Sequence, residues 1–193
     1  MYGRFEDRLK GYALEMQGYL GHIQARSPED LSTAFEKIEQ ARQAGHWVAL
    51  ALDYELAELF EPRLPAREAA THAPLNALVF EQAQEVALWD GQAKPELKVS
   101  LQISQQDYRD ALAQVQQGLQ AGDFYQINYT MPLSIQTGMA PRDLYTALAS
   151  RHPVAYAAYL DLGDRHILSL SPELFLEKRG STVRTRPMKG TRP

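Results

Sequence analysis

The sequence predicts an α+β fold in which helices cover mainly antiparallel β-sheets. Two stretches show the apolar repeat of amphipathic helices, and several short apolar or alternating stretches between turn residues are typical of strands. The composition, 45% hydrophobic and 23% charged over 193 residues, is that of a globular chain long enough to bury a core. We expect an N-terminal lobe with a linker at residues 1–74 and a second segment at residues 75–193.

The first helix is predicted by a start signal that precedes a helical repeat. In Ser27-Pro28-Glu29-Asp30 the serine suits the cap, the proline suits the first helical position, and the acids favour the positive end of the helix dipole. Gly45 provides the end of the helix. A strand covered on both faces is expected from His46 to Asp53, followed by a short helix from Tyr54 to Phe60. Apolar residues repeat at helical spacing: Leu31, Phe35, Ile38 and Ala41.

A proline-rich stretch and three strands are expected next. Pro62 to Pro74 contains three prolines and is the predicted linker. Strands are expected from Leu75 to Glu81 and from Glu85 to Trp89, with a turn at Asp90-Gly91. A half-exposed strand is predicted by alternating apolar residues: Leu97, Val99, Leu101 and Ile103.

The second helix leads into a strand with a polar face. Ser104 is the expected cap and Gly122 the expected end of this helix. From Phe124 to Ile135 the apolar residues alternate with Gln126, Asn128 and Thr130. Short uncharged polar groups in a row suit a site that hydrogen-bonds a hydroxylated ring, and they equally suit an ordinary solvent-facing side of a strand.

The C-terminal part carries two ionisable residues beside prolines. After a short helix from Ala140 to Leu148, strands are expected from Val154 to Asp161 and from Arg165 to Ser171. A hairpin turning at Arg179-Gly180-Ser181 follows, with Glu173 directly after Pro172 and Lys189 between Met188 and Gly190. Partial burial makes a lysine amine a better nucleophile and a carboxyl a better proton donor. The alternative is that both residues are ordinary surface charges of a hairpin.

Composition narrows the classes of function. A formal charge of −4, with no run of Lys or Arg, gives no reason to expect nucleic-acid binding. The absence of cysteine excludes disulfides and thiolate metal sites within this sequence and agrees with a cytoplasmic location. No apolar run approaches the roughly 20 residues that cross a bilayer, and no His pair has helical metal-ligand spacing.

Three stretches resemble one known family. Ser171-Pro172-Glu173 and the run Arg186 to Pro193, with Ala121 to Asn128 upstream, are similar to the chorismate-utilising enzymes. This family includes anthranilate synthase component I, aminodeoxychorismate synthase component I, and the isochorismate and salicylate synthases. The resemblance implies the N-terminal part of the chorismate-binding, anthranilate synthase component I-like fold, with the chorismate-binding core starting at residue 75.

Two positions distinguish the subfamilies. The residue before Gly-Thr in the last motif is usually Ala in anthranilate synthases and Lys in many aminodeoxychorismate synthases, and here it is Lys189. Isochorismate and salicylate synthases carry a water-activating Lys where this chain has Gln126, whose amide does not titrate. The resemblance therefore implies catalysis by Lys189 and Glu173 and substrate binding by Gln126, Asn128 and Thr191.

The implied function is that of aminodeoxychorismate synthase component I in folate precursor synthesis. The substrates would be chorismate and ammonia from a glutamine amidotransferase subunit, and Mg²⁺ would be held by ligands beyond Pro193. Since family members continue past this motif, the chain is expected to be an inactive N-terminal fragment with an open sheet edge prone to self-association. Two alternatives stay open: anthranilate synthase component I, and a non-catalytic fragment that binds a partner.

Overall fold

A six-stranded antiparallel sheet is the frame of the first of two compact units. The computed structural model of the chain describes residues 1–61, 63–64, 71–91 and 94–187. The first unit comprises residues 1–92 and 141–193, and the second comprises residues 93–140.

Ten strands and four helices are assigned within the described residues. The helices are α1 (Pro28–Gln43), α2 (Leu56–Phe60), α3 (Gln105–Ala121) and α4 (Pro141–Arg151). The strands are β1 (Tyr2–Asp7), β2 (Tyr12–Ala25), β3 (Trp47–Leu52), β4 (Leu75–Val86), β5 (Lys98–Leu101), β6 (Leu133–Gln136), β7 (Tyr156–Asp161), β8 (His166–Ser171), β9 (Leu174–Arg179) and β10 (Thr182–Arg186).

The large sheet joins strands that are distant in sequence. Its order is β3-β4-β2-β1-β7-β8, and every neighbouring pair is antiparallel. β9 and β10 form a separate hairpin, as the sequence predicts, and β5 and β6 form a two-stranded sheet in the second unit. The predicted α+β class with mainly antiparallel sheets is confirmed.

The N-terminal strands and β4 differ from the sequence-based expectations. Residues 1–26, which lack a clean period, form the hairpin of β1 and β2. The two strands expected between Leu75 and Trp89 are wrong, because a single strand, β4, runs through the polar stretch to Val86. There Gln17 of β2 forms side-chain hydrogen bonds with Gln82 and Gln84, so the pairing of β2 with β4 continues beyond the apolar residues.

The boundary expected at residue 74 falls at the start of β4, which pairs with both β2 and β3. The division into segments 1–74 and 75–193 therefore stays a prediction. Most of the predicted linker from Pro62 to Pro74 lies outside the described residues.

Three apolar clusters hold the first unit together. The helix α1 packs through Leu31 and Ala34 against Ala25 and Leu75 of the sheet. The helix α4 buries Tyr145 and Ala149 against the β7 residues Ala157 and Tyr159. The third cluster lies on the sheet and in the segment after β7, and it comprises Met16, Ala49, Ala51, Leu78, Phe80, Leu160 and Leu162.

Both amphipathic helices begin where the sequence places them. At the start of α1, the Asp30 carboxylate accepts hydrogen bonds from the backbone N–H of Arg26 (2.9 Å) and Ser27 (3.0 Å). At α3, the Ser104 hydroxyl accepts from the backbone N–H of Asp107 at 3.0 Å. Gly122 ends α3 with a φ of 81°, a conformation that favours glycine.

In the second unit the long strand expected from Phe124 to Ile135 is wrong for residues 124–132. Only Leu133 to Gln136 is a strand, paired with β5. Alternation along a sequence marks an extended chain, but a strand also needs a neighbour for its backbone hydrogen bonds. Among the described residues, 124–132 lack that neighbour along most of their length.

Within the described ranges, no helix combines the length and apolar character that crossing a membrane requires.

Candidate functional site

Glu173 stands at the entrance to the β9–β10 hairpin. The Ser171 hydroxyl donates to the Glu173 carbonyl at 3.0 Å, and the Glu173 N–H donates to the same hydroxyl oxygen at 3.2 Å. Pro172 lies between them with its restricted backbone. The short turn Ser171-Pro172-Glu173 therefore fixes where the Glu173 backbone enters β9.

The hairpin register places Glu173 at the end that leads to the last motif. Leu174 pairs with Arg186, and the Thr185 hydroxyl donates to the Leu174 carbonyl at 3.2 Å. Glu173 and Pro187 directly flank this last pair, so they lie at the same end of the hairpin. Lys189 and Thr191 lie outside the described residues.

The shielding expected around Glu173 is absent from the described part of the chain, where Glu173 is exposed. The neighbouring strand β9 is also open to solvent, with Phe175 91% exposed. The reason is that β9 pairs only with β10 among the described residues. A proline neighbour limits the backbone, but burial requires a second layer of structure.

Gln126 and Asn128 belong to the second unit. Both are exposed and lie in the extended segment between α3 and β6. The segment is fixed to α3 at its start, because Gly118 lets the Phe124 ring approach so closely that a Cβ on Gly118 would lie 2.5 Å from it. Tyr129 follows further on, its ring centroid 5.8 Å from that of Tyr108 on α3.

A cavity of about 690 Å³ lies in the first unit between the sheet and the hairpin. The sheet contributes Phe5, Tyr12, Leu14 and Tyr156, and the hairpin contributes Glu177, Arg179, Arg184 and Arg186. The Glu177 carboxylate pairs with Arg179 at 2.9 Å and lies 3.7 Å from Arg184. Arg186 makes no ion pair with any residue that the structure describes. Aromatic walls and a guanidinium without an acidic partner suit a small anion with an apolar body.

A buried cluster of charges lies on the face of β1 that bears Tyr2, Arg4 and Glu6. The Glu6 carboxylate accepts from Arg4 Nε at 2.6 Å and from an Arg8 guanidinium nitrogen at 2.5 Å. Arg4 also donates to the Ala87 carbonyl beyond β4. This cluster connects β1 to the segment after β4. Oppositely charged residues at every second position, Arg4, Glu6 and Arg8, are the sequence signal that could have predicted it.

Aromatic rings extend the buried charge cluster. Two guanidiniums contact the Trp89 ring, with Arg4 Cζ 4.4 Å and Arg142 Cζ 4.1 Å from its centroid. Tyr2 stacks on Trp89 at 5.7 Å and donates its hydroxyl to Glu15 at 2.5 Å. Burial, reinforced by the Glu15 carboxylate, raises the pKa of the Tyr2 phenol.

No group of three or more His, Asp or Glu side chains that could hold a metal ion occurs in the part of the chain that the structure describes. The sequence resemblance places the magnesium ligands beyond Pro193, so the magnesium site stays a prediction.

Comparison with known proteins gives one consistent result. The family model for chorismate binding enzyme matches residues 75–193, more than half of the chain. Anthranilate synthase component 1 of Thermus thermophilus is 35% identical over 148 residues, which cover 77% of this chain and 29% of that protein. The corresponding protein of Streptomyces coelicolor is 38% identical over 92 residues, 47% of this chain and 18% of its own length.

Aminodeoxychorismate synthase component 1 of Bacillus subtilis is 32% identical over 108 residues, 55% of this chain and 23% of that protein. The chain thus spans less than a third of the length of these relatives.

Proposed function

The chain belongs to the chorismate-binding enzyme family, and from this membership we propose that the whole protein acts as component I of aminodeoxychorismate synthase. The reaction converts chorismate and ammonia into 4-amino-4-deoxychorismate. The observation that carries the proposal is Lys189, which stands directly before Gly190-Thr191 where anthranilate synthases usually have Ala.

Two side chains divide the chemistry in this proposal. Glu173 gives a proton to the departing C4 hydroxyl of chorismate, which leaves as water, while the Lys189 amine adds to the ring. Ammonia then adds to the ring, the bond between the ring and the Lys189 nitrogen breaks, and Lys189 is again a free amine. The hairpin geometry supports the pairing of roles, because Glu173 lies at the end from which the chain runs on through Pro187 to Lys189.

Substrate binding by Gln126, Asn128 and Thr191 belongs to the same proposal. The exposure of Gln126 and Asn128 leaves their amides available to a ligand, and each amide offers both a donor and an acceptor to a ring hydroxyl. A glutamine amidotransferase subunit would supply the ammonia. In this proposal magnesium would bind the substrate carboxylate through ligands beyond Pro193.

A second candidate is anthranilate synthase component I. It is favoured by the names of several relatives, including the Thermus thermophilus protein that aligns over most of this chain. The two activities use the same substrate and ammonia but give different products, so product analysis separates them. A third candidate, which the sequence analysis leaves open, is a non-catalytic chain that binds a partner.

The test combines product analysis with trapping of the lysine adduct. The protein is incubated with chorismate, Mg²⁺ and ammonium, and the products are identified by mass spectrometry. Without ammonium, we expect an intact-mass gain equal to chorismate less water, located on Lys189 by peptide mapping. The matched control is Lys189→Arg, which keeps the charge but cannot act as an amine nucleophile at neutral pH.

The outcomes separate the three candidates. Aminodeoxychorismate as product and an adduct that disappears in Lys189→Arg support the proposal. Anthranilate as product favours the second candidate. Full activity of Lys189→Ala or Lys189→Arg would refute the role of Lys189. If neither a product nor an adduct forms, the result favours the third candidate, a non-catalytic chain that binds a partner.

A further inference from the structure

We infer that Arg8 and Ser150 form a clamp that holds together the two points where the chain leaves the first unit and returns to it. The second unit, residues 93–140, is an insertion between the two parts of the first unit. Gly91 is the last described residue before this insertion, and α4 begins directly after it. The chain therefore has one outgoing and one returning connection, and the clamp contacts both.

The outgoing connection is bound to the end of β1. The Trp89 N–H donates to the Glu6 carboxylate at 3.4 Å, and the Trp89 carbonyl accepts from a guanidinium nitrogen of Arg8 at 3.0 Å. The other terminal nitrogen of Arg8 donates to the Asp90 carboxylate, also at 3.0 Å. The Arg8 side chain is almost fully buried, and hydrogen bonds from a charged donor are strong where water is excluded.

The returning connection is bound to the same arginine. The Arg8 N–H donates to the Val154 carbonyl, just after α4, at 3.0 Å. The guanidinium nitrogen that bonds Asp90 also donates to the Ser150 hydroxyl oxygen at 3.2 Å. Arg8 thus bonds residues that precede the second unit and residues that follow it.

The two connections also contact each other directly. The Ser150 hydroxyl oxygen accepts a further hydrogen bond from the Gly91 N–H at 3.2 Å. Gly91 lies so close to α4 that a Cβ there would be 2.9 Å from the Thr146 methyl. That methyl is fixed, because Thr146 is buried and its hydroxyl donates to the Arg142 carbonyl at 2.8 Å. A displacement of either connection would break these contacts.

The clamp gives Arg8 and Ser150 a positioning role in chorismate binding. The second unit carries Gln126 and Asn128, which the proposed function assigns to the substrate, so this part of the inference rests on that proposal. Holding both ends of an inserted segment reduces the conformational freedom that substrate binding would otherwise have to remove. Loosening the clamp should therefore weaken substrate binding and leave the chemical step unchanged.

Two small substitutions open the clamp. Ser150→Ala removes the oxygen that accepts from Arg8 and Gly91. Gly91→Ala adds a Cβ for which the fixed Thr146 methyl leaves no room. Arg8 itself stays in place, because its removal would take away one of the two guanidiniums that compensate the buried Glu6 carboxylate and would destabilise the whole fold.

Hydrogen exchange of the whole chain, followed by NMR, measures the clamp without an activity assay. In both variants the amides of residues 89 and 91 should exchange about fivefold faster or more, the scale of one lost hydrogen bond. Amides of β3, the terminal strand of the six-stranded sheet, should not change. The matched controls are Ser32→Ala on α1 and Gly21→Ala on β2, where an added Cβ meets nothing within 4 Å. Both should exchange like the unmodified chain.

Kinetics of the whole protein test the positioning role. Ser150→Ala and Gly91→Ala should each raise the KM for chorismate about threefold or more and leave kcat within about twofold, the pattern of a lost binding interaction. A lowered kcat at an unchanged KM, or no change in either constant, would overturn this role.

The outcomes separate the clamp from the proposed function. Faster exchange at residues 89 and 91 together with a raised KM supports the inference. Unchanged exchange at both residues, or exchange that becomes equally faster in β3, would overturn it. If the unmodified protein forms no product from chorismate, the proposed function fails and the positioning role fails with it, whereas hydrogen exchange still decides whether the clamp exists.

Discussion

Replacing Glu6 by glutamine should destabilise the protein strongly, because the change removes the negative charge between two buried guanidiniums. The side chains of Glu6, Arg4 and Arg8 are 0%, 1% and 4% exposed. Removing one member of a buried ion pair typically costs about 3–5 kcal/mol, since the remaining charge has lost its partner. Arg4 keeps Glu15 at 3.2 Å and Arg8 keeps Asp90 at 3.0 Å. We therefore expect the lower end of that range, about 3 kcal/mol.

Urea denaturation measures this loss. With a slope of about 2 kcal/mol per molar urea, a loss of about 3 kcal/mol lowers the midpoint by about 1.5 M. The fluorescence of Trp89 is a suitable signal, because its ring lies within the same cluster. The matched control is Glu39→Gln, which removes a carboxylate from an exposed pair on α1 and should leave the midpoint nearly unchanged.

The reasoning would be refuted if Glu6→Gln unfolded within about 1 kcal/mol of the unmodified protein, the scale of an ordinary surface substitution. That result would mean that water or rearranged side chains solvate both arginines. An unchanged midpoint together with a changed slope would instead indicate an altered denatured state, so both quantities are needed.

Two further predictions concern the helices. Hydrogen bonds from Arg42 and then Gln43 lower the pKa of Glu39 to about 2, so Arg42→Ala should raise that pKa towards its ordinary value, as NMR titration of the side-chain carboxyl would show. Any stabilisation from this group is present above its ordinary pKa and is lost as the pH falls towards 2. Ser104→Ala removes the hydroxyl that caps α3 and should cost about 1 kcal/mol in urea denaturation.

Each of these predictions has a control. Lys37→Ala, also on α1, should leave the Glu39 pKa unchanged, and a Glu39 pKa that stays low in Arg42→Ala would contradict the assigned cause. Ser100→Ala removes an exposed serine from β5 and should be nearly neutral. Equal midpoints for Ser104→Ala and Ser100→Ala would show that the cap contributes no stability.

Local patterns predicted the elements whose signals are local. The starts of α1 and α3 follow from capping residues, and their lengths follow from the apolar repeat. The turn in the β9–β10 hairpin is likewise given by Gly180, whose φ is positive. In each case the residues that decide the structure lie within a few positions of one another.

Features that depend on distant partners could not be predicted in this way. The charges of β1 look like a solvent face until α4 and the segment after β4 cover them. In contrast, apolar and polar residues alternate after Phe124 as they do in a strand. Within the described chain, however, this segment has no neighbouring strand along most of its length. For the candidate site, sequence motifs gave the residue types, while the exposure of Glu173 follows only from three-dimensional packing.

The position of β1 in the sheet has a consequence for the timing of folding during synthesis. β1 lies between β2 and β7, and Tyr2 pairs with Asp161. At about 5–20 residues per second, a ribosome needs roughly 7–30 s to reach β7 after it has made β1. During this interval one edge of β1 has no native partner, and Arg4 and Glu6 lack the later residues that bury them in the folded protein. The nascent chain therefore passes through a prolonged stage in which chaperone binding or premature pairing of that edge competes with the native sheet.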